Sequence, residues 1–167
     1  MNRKNLFTLM LVLILASVIV VPARADADNQ PELAQVRNAT AAYHDIPTAE
    51  AAGYHLLSFY NFCVKSPTLG AMGYHYINLS LVDTVVDPLQ PEAMVYTPGD
   101  SGELELTSVE YIVSAPAWDA VHSQPPSLFG HTFGYNAGMM VYSMHAWIWR
   151  PNPAGMFEYY NPKLSCE

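Results

Sequence analysis

The segment GYHYINLSLV, residues 73–82, shows the alternation of side chains that is typical of a β-strand. Successive strand side chains point to opposite faces of a sheet, so every second residue shares one face. We therefore predict a strand from Tyr74 to Val82. One face of this strand would consist of one imidazole followed by three aliphatic side chains: His75, Ile77, Leu79 and Leu81.

Two more segments have the composition of long strands, and a long loop separates them. The segments are Glu103–Ser114 and Met139–Trp149, and the Ser114–Gly138 loop is rich in proline and glycine. A loop of that length in a small domain is more often functional than idle. Pro98–Gly102 is predicted to be a turn. Further β segments are predicted at residues 54–64, 93–97 and 156–160.

The residues before these strands have helical spacing instead. Apolar residues recur at three- and four-residue intervals over 32–43, which predicts a helix with Asn29 as a possible cap. Thr48 is expected to cap a second short helix over 49–52, which ends at Gly53. The predicted fold class is α+β, with short N-terminal helices packed on an antiparallel β-sheet or small barrel.

The N-terminus has the layout of a secretory signal peptide. A short basic region precedes an apolar run over 6–21, and a small-x-small site allows cleavage after Ala25 or Ala27. The run of about 16 residues is shorter than the ~20 that a spanning helix needs, which favours cleavage over an uncleaved anchor. We predict a signal peptide over 1–25, a polar leader and helical lead-in over 26–54, and a β-rich body of the same single domain over 55–167. The expected location is secreted or periplasmic.

The charge of the exported part excludes some classes of partner. Cleavage after Ala25 leaves four basic residues against all 15 acidic ones, so the net charge falls from −8 to −11. Such a surface repels phosphate backbones and anionic lipids, so neither nucleic acid nor a membrane is an expected partner after cleavage. A metal ion or a small molecule is expected instead, although solubility alone would also explain the charge.

The two cysteines, Cys63 and Cys166, both follow the predicted cleavage site. An even pair in an oxidising compartment most simply forms one disulfide. Zinc coordination by these thiols is disfavoured, because no CxxC spacing accompanies them. We predict a structural disulfide that closes a loop of about 100 residues.

Three polar side chains are predicted to lie on apolar strand faces: His75, Glu110 and His145. A buried imidazole or carboxylate is costly unless it is paired, hydrogen-bonded or bound to a metal. Two imidazoles and a carboxylate suit a divalent metal such as Zn, Fe or Cu, and Glu92 or His131 is a possible further ligand. Alternatively, the histidines are hydrogen-bonded core residues and Glu110 pairs with Arg150. A bulge in the strand could also reverse the face of Glu110.

The same region of the sequence also fits other interpretations. Trp147 and Trp149 alternate in step with His145 and could line an aromatic pocket for a small molecule, in a non-catalytic binding module. The methionines near His145 are soft ligands suited to Cu(I), although methionine more often fills gaps in a core. No G-x-S-x-G sequence or phosphate-binding glycine loop supports a specific enzyme class. A purely structural envelope protein is the third possibility.

Several motifs together resemble a known group of proteins. They are CVKSPTLGAMGYHYIN, DPLQPEAMVY, VEYIV, PPSLFG and HAWIWRPNPAGMFEYYNPKLSC. This pattern resembles a group of small exported bacterial proteins of unknown function, which often begin with a helical AT-x-x-Y-x-D segment like Ala39–Asp45. The resemblance implies export and no particular activity. The chain is also loosely similar to cupins in its strand order with His and Glu, but the cupin HxH spacing is missing.

Overall fold

A computed structural model describes residues 31–167 of the chain. The predicted signal peptide, the polar leader and the proposed cap Asn29 lie outside the described residues. Among residues 31–167, no helix combines the length and the apolar character that a membrane span requires.

The structure begins with two helices, as predicted. Within the described residues helix α1 spans Pro31–Thr40, and a 3-10 turn over Ala41–His44 follows it. Helix α2 is capped by Asp45 and not by Thr48, because the Asp45 carboxylate accepts the backbone N–H of Thr48. The helices are α1 (Pro31–Thr40), α2 (Ile46–Ala51) and α3 (Ala115–Asp119).

The strands confirm the α+β class and form one antiparallel sheet with a small separate hairpin. Their order in the sheet is β1-β3-β4-β5-β9-β8, with β2 also paired to β3, while β6 pairs with β7 alone. The strands are β1 (His55–Leu56), β2 (Val64–Ser66), β3 (Gly70–Ile77), β4 (Ala93–Pro98), β5 (Leu104–Ser114), β6 (Ser127–Leu128), β7 (His131–Thr132), β8 (Gly134–Asn136) and β9 (Val141–Ala146).

The first predicted strand is shifted along the sequence. Strand β3 starts at Gly70, in the segment expected to be a loop, because β2 pairs with this stretch. It ends at Ile77, because the Asn78 side chain accepts the backbone N–H and the hydroxyl of Ser80 and turns the chain away. The prediction for residues 78–82 was therefore wrong, and Leu79 is exposed.

The third long strand is shorter than predicted at both ends. Met140 has a positive φ of 54°, so the strand begins only after it, at Val141. It ends at Ala146, because the backbone N–H of Trp147 bonds to the Met156 carbonyl instead of a strand partner. Residues 156–160 form turns and not the predicted fourth strand. The predicted loop over 114–138 contains α3, the β6–β7 hairpin and β8.

The two faces of the sheet are covered differently. One face packs against α1 and α2 and forms the main core, which includes Leu33, Val36, Tyr96, Tyr111 and Met144. The opposite face carries a much smaller apolar cluster, formed by buried Ile77, Ala93 and Ile112 with partly buried neighbours. This second face has the three polar residues that the sequence singles out.

The C-terminal segment is attached to the start of the sheet. The predicted disulfide between Cys63 and Cys166 is present. Asn161 forms a backbone bridge with Ala71 in β3, and Lys65 pairs with Glu167. These contacts hold the last residues of the chain beside β2 and β3.

Candidate metal-binding site

Strand register places the three polar side chains on one face of the sheet. Glu110 in β5 lies directly opposite His145 in β9. On its other side Glu110 lies opposite Ala93 in β4, which in turn lies opposite Ile77 in β3. Directly opposed residues share a face, and His75 shares the face of Ile77 two residues away. All three polar residues therefore belong to the less covered face.

A bulge determines the face of Glu110. Val95 lies opposite Ser108, but the next residue, Tyr96, lies opposite Leu106, so β5 contains one extra residue at Thr107. The bulge lets Leu106 join the main core while Ser108 and Glu110 turn to the other face. Without the bulge, simple alternation along the strand would have placed the side chains of Leu106 and Glu110 on the same face of the sheet. The bulge thus brings Glu110 to the face of the two histidines.

The three side chains converge because the sheet curls. Two strands, β4 and β5, separate β3 from β9, and three strand spacings in a flat sheet would span about 14 Å. The Nε2 atoms of His75 and His145 are nevertheless only 3.3 Å apart. The His75 Nε2 is also 3.4 Å from Glu110 Oε2, and His145 Nδ1 is 3.7 Å from Glu110 Oε1. A ligand atom from each residue lies within 4.8 Å of the other two.

The two separations measured from His75 Nε2 match the spacing of ligands around one small metal ion. Zinc binds imidazole nitrogen at about 2.0–2.1 Å, so two ligand atoms on a tetrahedral ion lie about 3.3 Å apart. The observed separations from His75 Nε2 are 3.3 Å to His145 Nε2 and 3.4 Å to Glu110 Oε2. A two-histidine, one-carboxylate donor set is also one that Zn, Fe and Cu accept. The residues present therefore fit a divalent transition metal.

Burial moves every pKa in the group toward the uncharged form. His75 and His145 are 1% and 0% exposed, and Glu110 is 8% exposed. Burial lowers the pKa of His75 to about 4, with the Gly73 backbone opposing part of the shift. Burial, and then the neighbouring His75, hold the pKa of His145 well below its usual range. Burial raises the pKa of Glu110 to about 7, against a hydrogen bond with Ser143. A bound cation would stabilise the carboxylate and leave both imidazoles neutral.

Aromatic rings hold both imidazoles in place. The Tyr60 ring lies 5.3 Å from the ring of His75, and Trp147 stacks on His145 at 5.9 Å. The Trp147 indole N–H donates to the Glu158 carbonyl. The Tyr159 ring meets His145 edge-on, while its hydroxyl donates to the Ser143 carbonyl. Trp147 and Tyr159 are thus fixed by hydrogen bonds to backbone carbonyls, and their rings limit rotation of the His145 imidazole.

A cavity of about 100 Å³ leads from the surface to Glu110. Its wall is predominantly apolar, with Tyr60, Glu110, Asn136 and Ser143 as the residues that carry polar groups. The apolar lining residues are Leu57, Phe59, Ile77, Leu79, Val82, Ile112, Met139 and Val141.

The predicted tryptophan wall is not part of this cavity. Trp147 is buried against His145, and Trp149 contacts the helical region through the His44 ring and the Thr40 hydroxyl. Neither residue lines the cavity that opens onto Glu110. The alternation with His145 fails for Trp149 because β9 has already ended at Ala146.

The two possible additional ligands are not in the group. Glu92 is buried, and its carboxylate accepts the backbone N–H of Ile112 at 2.8 Å. Burial raises the pKa of Glu92 to about 8, although this hydrogen bond opposes the shift. His131 is exposed in β7 and its ring contacts Phe157. Among residues 31–167, the metal-capable group contains only His75, Glu110 and His145.

Two site residues were missed in the sequence. Ser143 lies two residues before His145 on the same strand face, so the alternation that identified His145 could have identified it too. Tyr60 lies in a segment without strand structure between β1 and β2, where no periodicity predicts its direction. Arg150 pairs with Glu105 and not with Glu110.

No family model, no curated protein and no solved structure matches this chain. The resemblance to small exported bacterial proteins therefore stays a prediction.

Proposed function

We propose that this protein binds one divalent transition-metal ion through His75, Glu110 and His145. The observation that carries the proposal is the convergence of three buried metal-capable side chains with separations of 3.3 and 3.4 Å from His75 Nε2. Such a cluster is costly in the absence of a cation, because burial opposes the carboxylate.

Zinc is the metal that the geometry favours. The two separations from His75 Nε2 agree with a tetrahedral ion, and zinc sites with three protein ligands leave a fourth position for water or substrate. Iron and copper accept the same donor set. Thioether coordination of Cu(I) has less support, because Met144 packs in the main core on the opposite face of the sheet and Met140 is exposed. Met139 lines the cavity that reaches Glu110, but it would supply only one thioether.

Export from the cytoplasm is part of the proposal. The disulfide between Cys63 and Cys166 is compatible with an oxidising compartment, and the leader pattern over 1–25 is typical of secretion. Cell fractionation of the full-length chain should recover a shortened form outside the cytoplasm. Recovery of only the full-length form from the cytoplasm would contradict export.

Elemental analysis of the purified protein tests metal binding directly. We expect close to one equivalent of Zn, Fe or Cu per chain, as isolated or after removal of metal and reconstitution. His75→Ala and His145→Ala should each lose the metal, because two ligands cannot hold it against a chelator.

His131→Ala is the matched control, because this histidine is exposed and lies outside the group. It should keep the full equivalent. The proposal fails if the reconstituted wild-type protein holds no stoichiometric metal, or if all three variants hold it equally.

A further inference from the structure

The cavity beside Glu110 has the character of a binding site for a small amphipathic molecule. Most of its wall is aliphatic or aromatic, and Glu110 is the only ionisable carboxyl among its lining residues. At its margin Phe59 is 69% exposed and Leu79 is 59% exposed. An apolar tail of a ligand could therefore enter from solvent between these side chains.

The net charge of the proposed metal site determines which polar head group a ligand in the cavity should carry. A divalent ion bound by two neutral imidazoles and one carboxylate retains one net positive charge, and three ligands leave a coordination position open. Glu110 belongs to the metal-capable group and also lines the cavity, so an ion held by this group would lie beside the cavity. A singly charged anion would neutralise this excess charge in apolar surroundings.

We infer that the site takes a small monocarboxylate with a short apolar tail, a ligand class that rests on the proposed metal binding. The carboxylate completes the coordination sphere, and the tail fills the cavity. An apolar cavity of about 150 Å³ is known to hold benzene, so a volume of about 100 Å³ suits a tail of a few carbon atoms. A phosphate head would bring more charge than the site can neutralise.

Cobalt substitution gives a direct readout of the head group. Co²⁺ replaces Zn²⁺ in such sites, and its visible absorption changes when a new ligand binds to the ion. We would titrate the Co²⁺ protein with acetate, propionate, butyrate, pentanoate and hexanoate, and with the corresponding 1-alkanols. The carboxylates should change the spectrum saturably, whereas the neutral alcohols should bind more weakly.

The dependence of Kd on the length of the carboxylate's alkyl chain tests whether the tail occupies the cavity. Burial of one methylene group is expected to lower the Kd about fourfold, so affinity should rise through the series until the cavity is full. Val141→Phe, on the cavity wall, should abolish this rise while leaving acetate binding and Co²⁺ content unchanged. Val121→Phe is the matched control, because Val121 is exposed and does not line the cavity.

Met139→Ala is a second variant that does not depend on filling the cavity. Met139 lies on the wall and is 39% exposed, so its truncation should enlarge the mouth with little effect on folding. We expect the rise in affinity to extend to longer tails than in the wild type. An unchanged chain-length profile in both Met139→Ala and a folded Val141→Phe would overturn the assignment of the cavity.

The outcomes separate this inference from metal binding itself. If the protein takes up neither Co²⁺ nor Zn, Fe or Cu, both proposals are overturned together. If Co²⁺ binds but carboxylates leave its spectrum unchanged, or bind with the same Kd at every chain length, only the ligand assignment is overturned.

Discussion

Replacing Glu110 with Gln should stabilise the metal-free protein and at the same time weaken its response to metal. The carboxyl is buried beside two neutral imidazoles, so its ionisation opposes folding when no cation is present. Gln keeps the size of the side chain and removes the charge. The same substitution removes an anionic ligand from the proposed metal site, so the two effects can be measured separately.

The size of the first effect follows from the pKa. The folded-state pKa of Glu110 is raised from 4.5 to about 7 by burial. Below pH 4.5 the carboxyl is protonated in both states, and stability is lost as pH rises toward 7 because only the unfolded state readily gives up the proton. The loss above pH 7 is on the order of 3 kcal/mol. Glu110→Gln should recover about this much at pH 8 and less than about 1 kcal/mol at pH 5.

The size of the second effect follows from mass action. Free metal at 1,000 times its Kd stabilises the folded state by about 4 kcal/mol. If the loss of the carboxylate raises the Kd about 100-fold, the same metal concentration stabilises the variant by only about 1.4 kcal/mol. The metal-induced increase in stability should therefore shrink by more than half, although the total stability of the two loaded proteins can be similar.

Urea denaturation followed by tryptophan fluorescence measures both effects, with and without Zn²⁺, at pH 5 and pH 8. Glu92→Gln is the matched control, because Glu92 is a second buried carboxyl outside the group and burial raises its pKa to about 8. This control should also gain stability at high pH, and it should keep the full response to Zn²⁺. An equal Zn²⁺ response in wild type and Glu110→Gln would refute the assignment of Glu110 as a ligand. No gain at pH 8 without metal would refute the burial argument.

Two further predictions concern contacts that hold the C-terminal segment beside the sheet. Replacing both Cys63 and Cys166 with Ala should cost about 4–5 kcal/mol in urea denaturation, because the disulfide closes a loop with a sequence separation of 103; a loss below about 1 kcal/mol would contradict this. Gly70→Ala should destabilise strongly, because its φ is +94° and a Cβ would collide with the Asn161 carbonyl. Gly102→Ala is the control and should cost only about 1 kcal/mol of stability, because Gly102 has a φ of +82° but open space around it. If thermal denaturation shows equal losses of stability in Gly70→Ala and Gly102→Ala, the collision with Asn161 is not the cause.

The sequence was sufficient to predict two of the three site residues with their orientation. Strand alternation placed His75 and His145 on an inward face, and the structure has both on the same face. Alternation could not fix Glu110, because the extra residue at Thr107 inverts the phase within β5. The Thr107 hydroxyl donates to the Val95 carbonyl and its own carbonyl accepts the N–H of Trp149, contacts that depend on distant parts of the chain.

The errors in strand bounds have the same origin in long-range contacts. Gly70 begins β3 because β2 and the Asn161 segment pair with this stretch, and neither partner is adjacent in sequence. Trp149 leaves the face of His145 because the chain after Ala146 pairs with Met156 and Thr107 instead of continuing the strand. Local composition predicted where β3, β4, β5 and β9 lie, but their ends are set by partners that local patterns do not specify. The predicted β segment at 54–64 is strand only at His55–Leu56 and Val64.

The two faces of the sheet explain how the fold tolerates such a costly cluster. On the main face three buried tyrosine hydroxyls are satisfied, because Tyr54, Tyr96 and Tyr111 each donate to a backbone carbonyl. That face also buries the helices, and it supplies most of the apolar burial that stabilises the fold. The second face can therefore hold His75, Glu110 and His145 at a net cost in stability. Because a cation would reverse that cost, metal binding and folding stability should be coupled through Glu110.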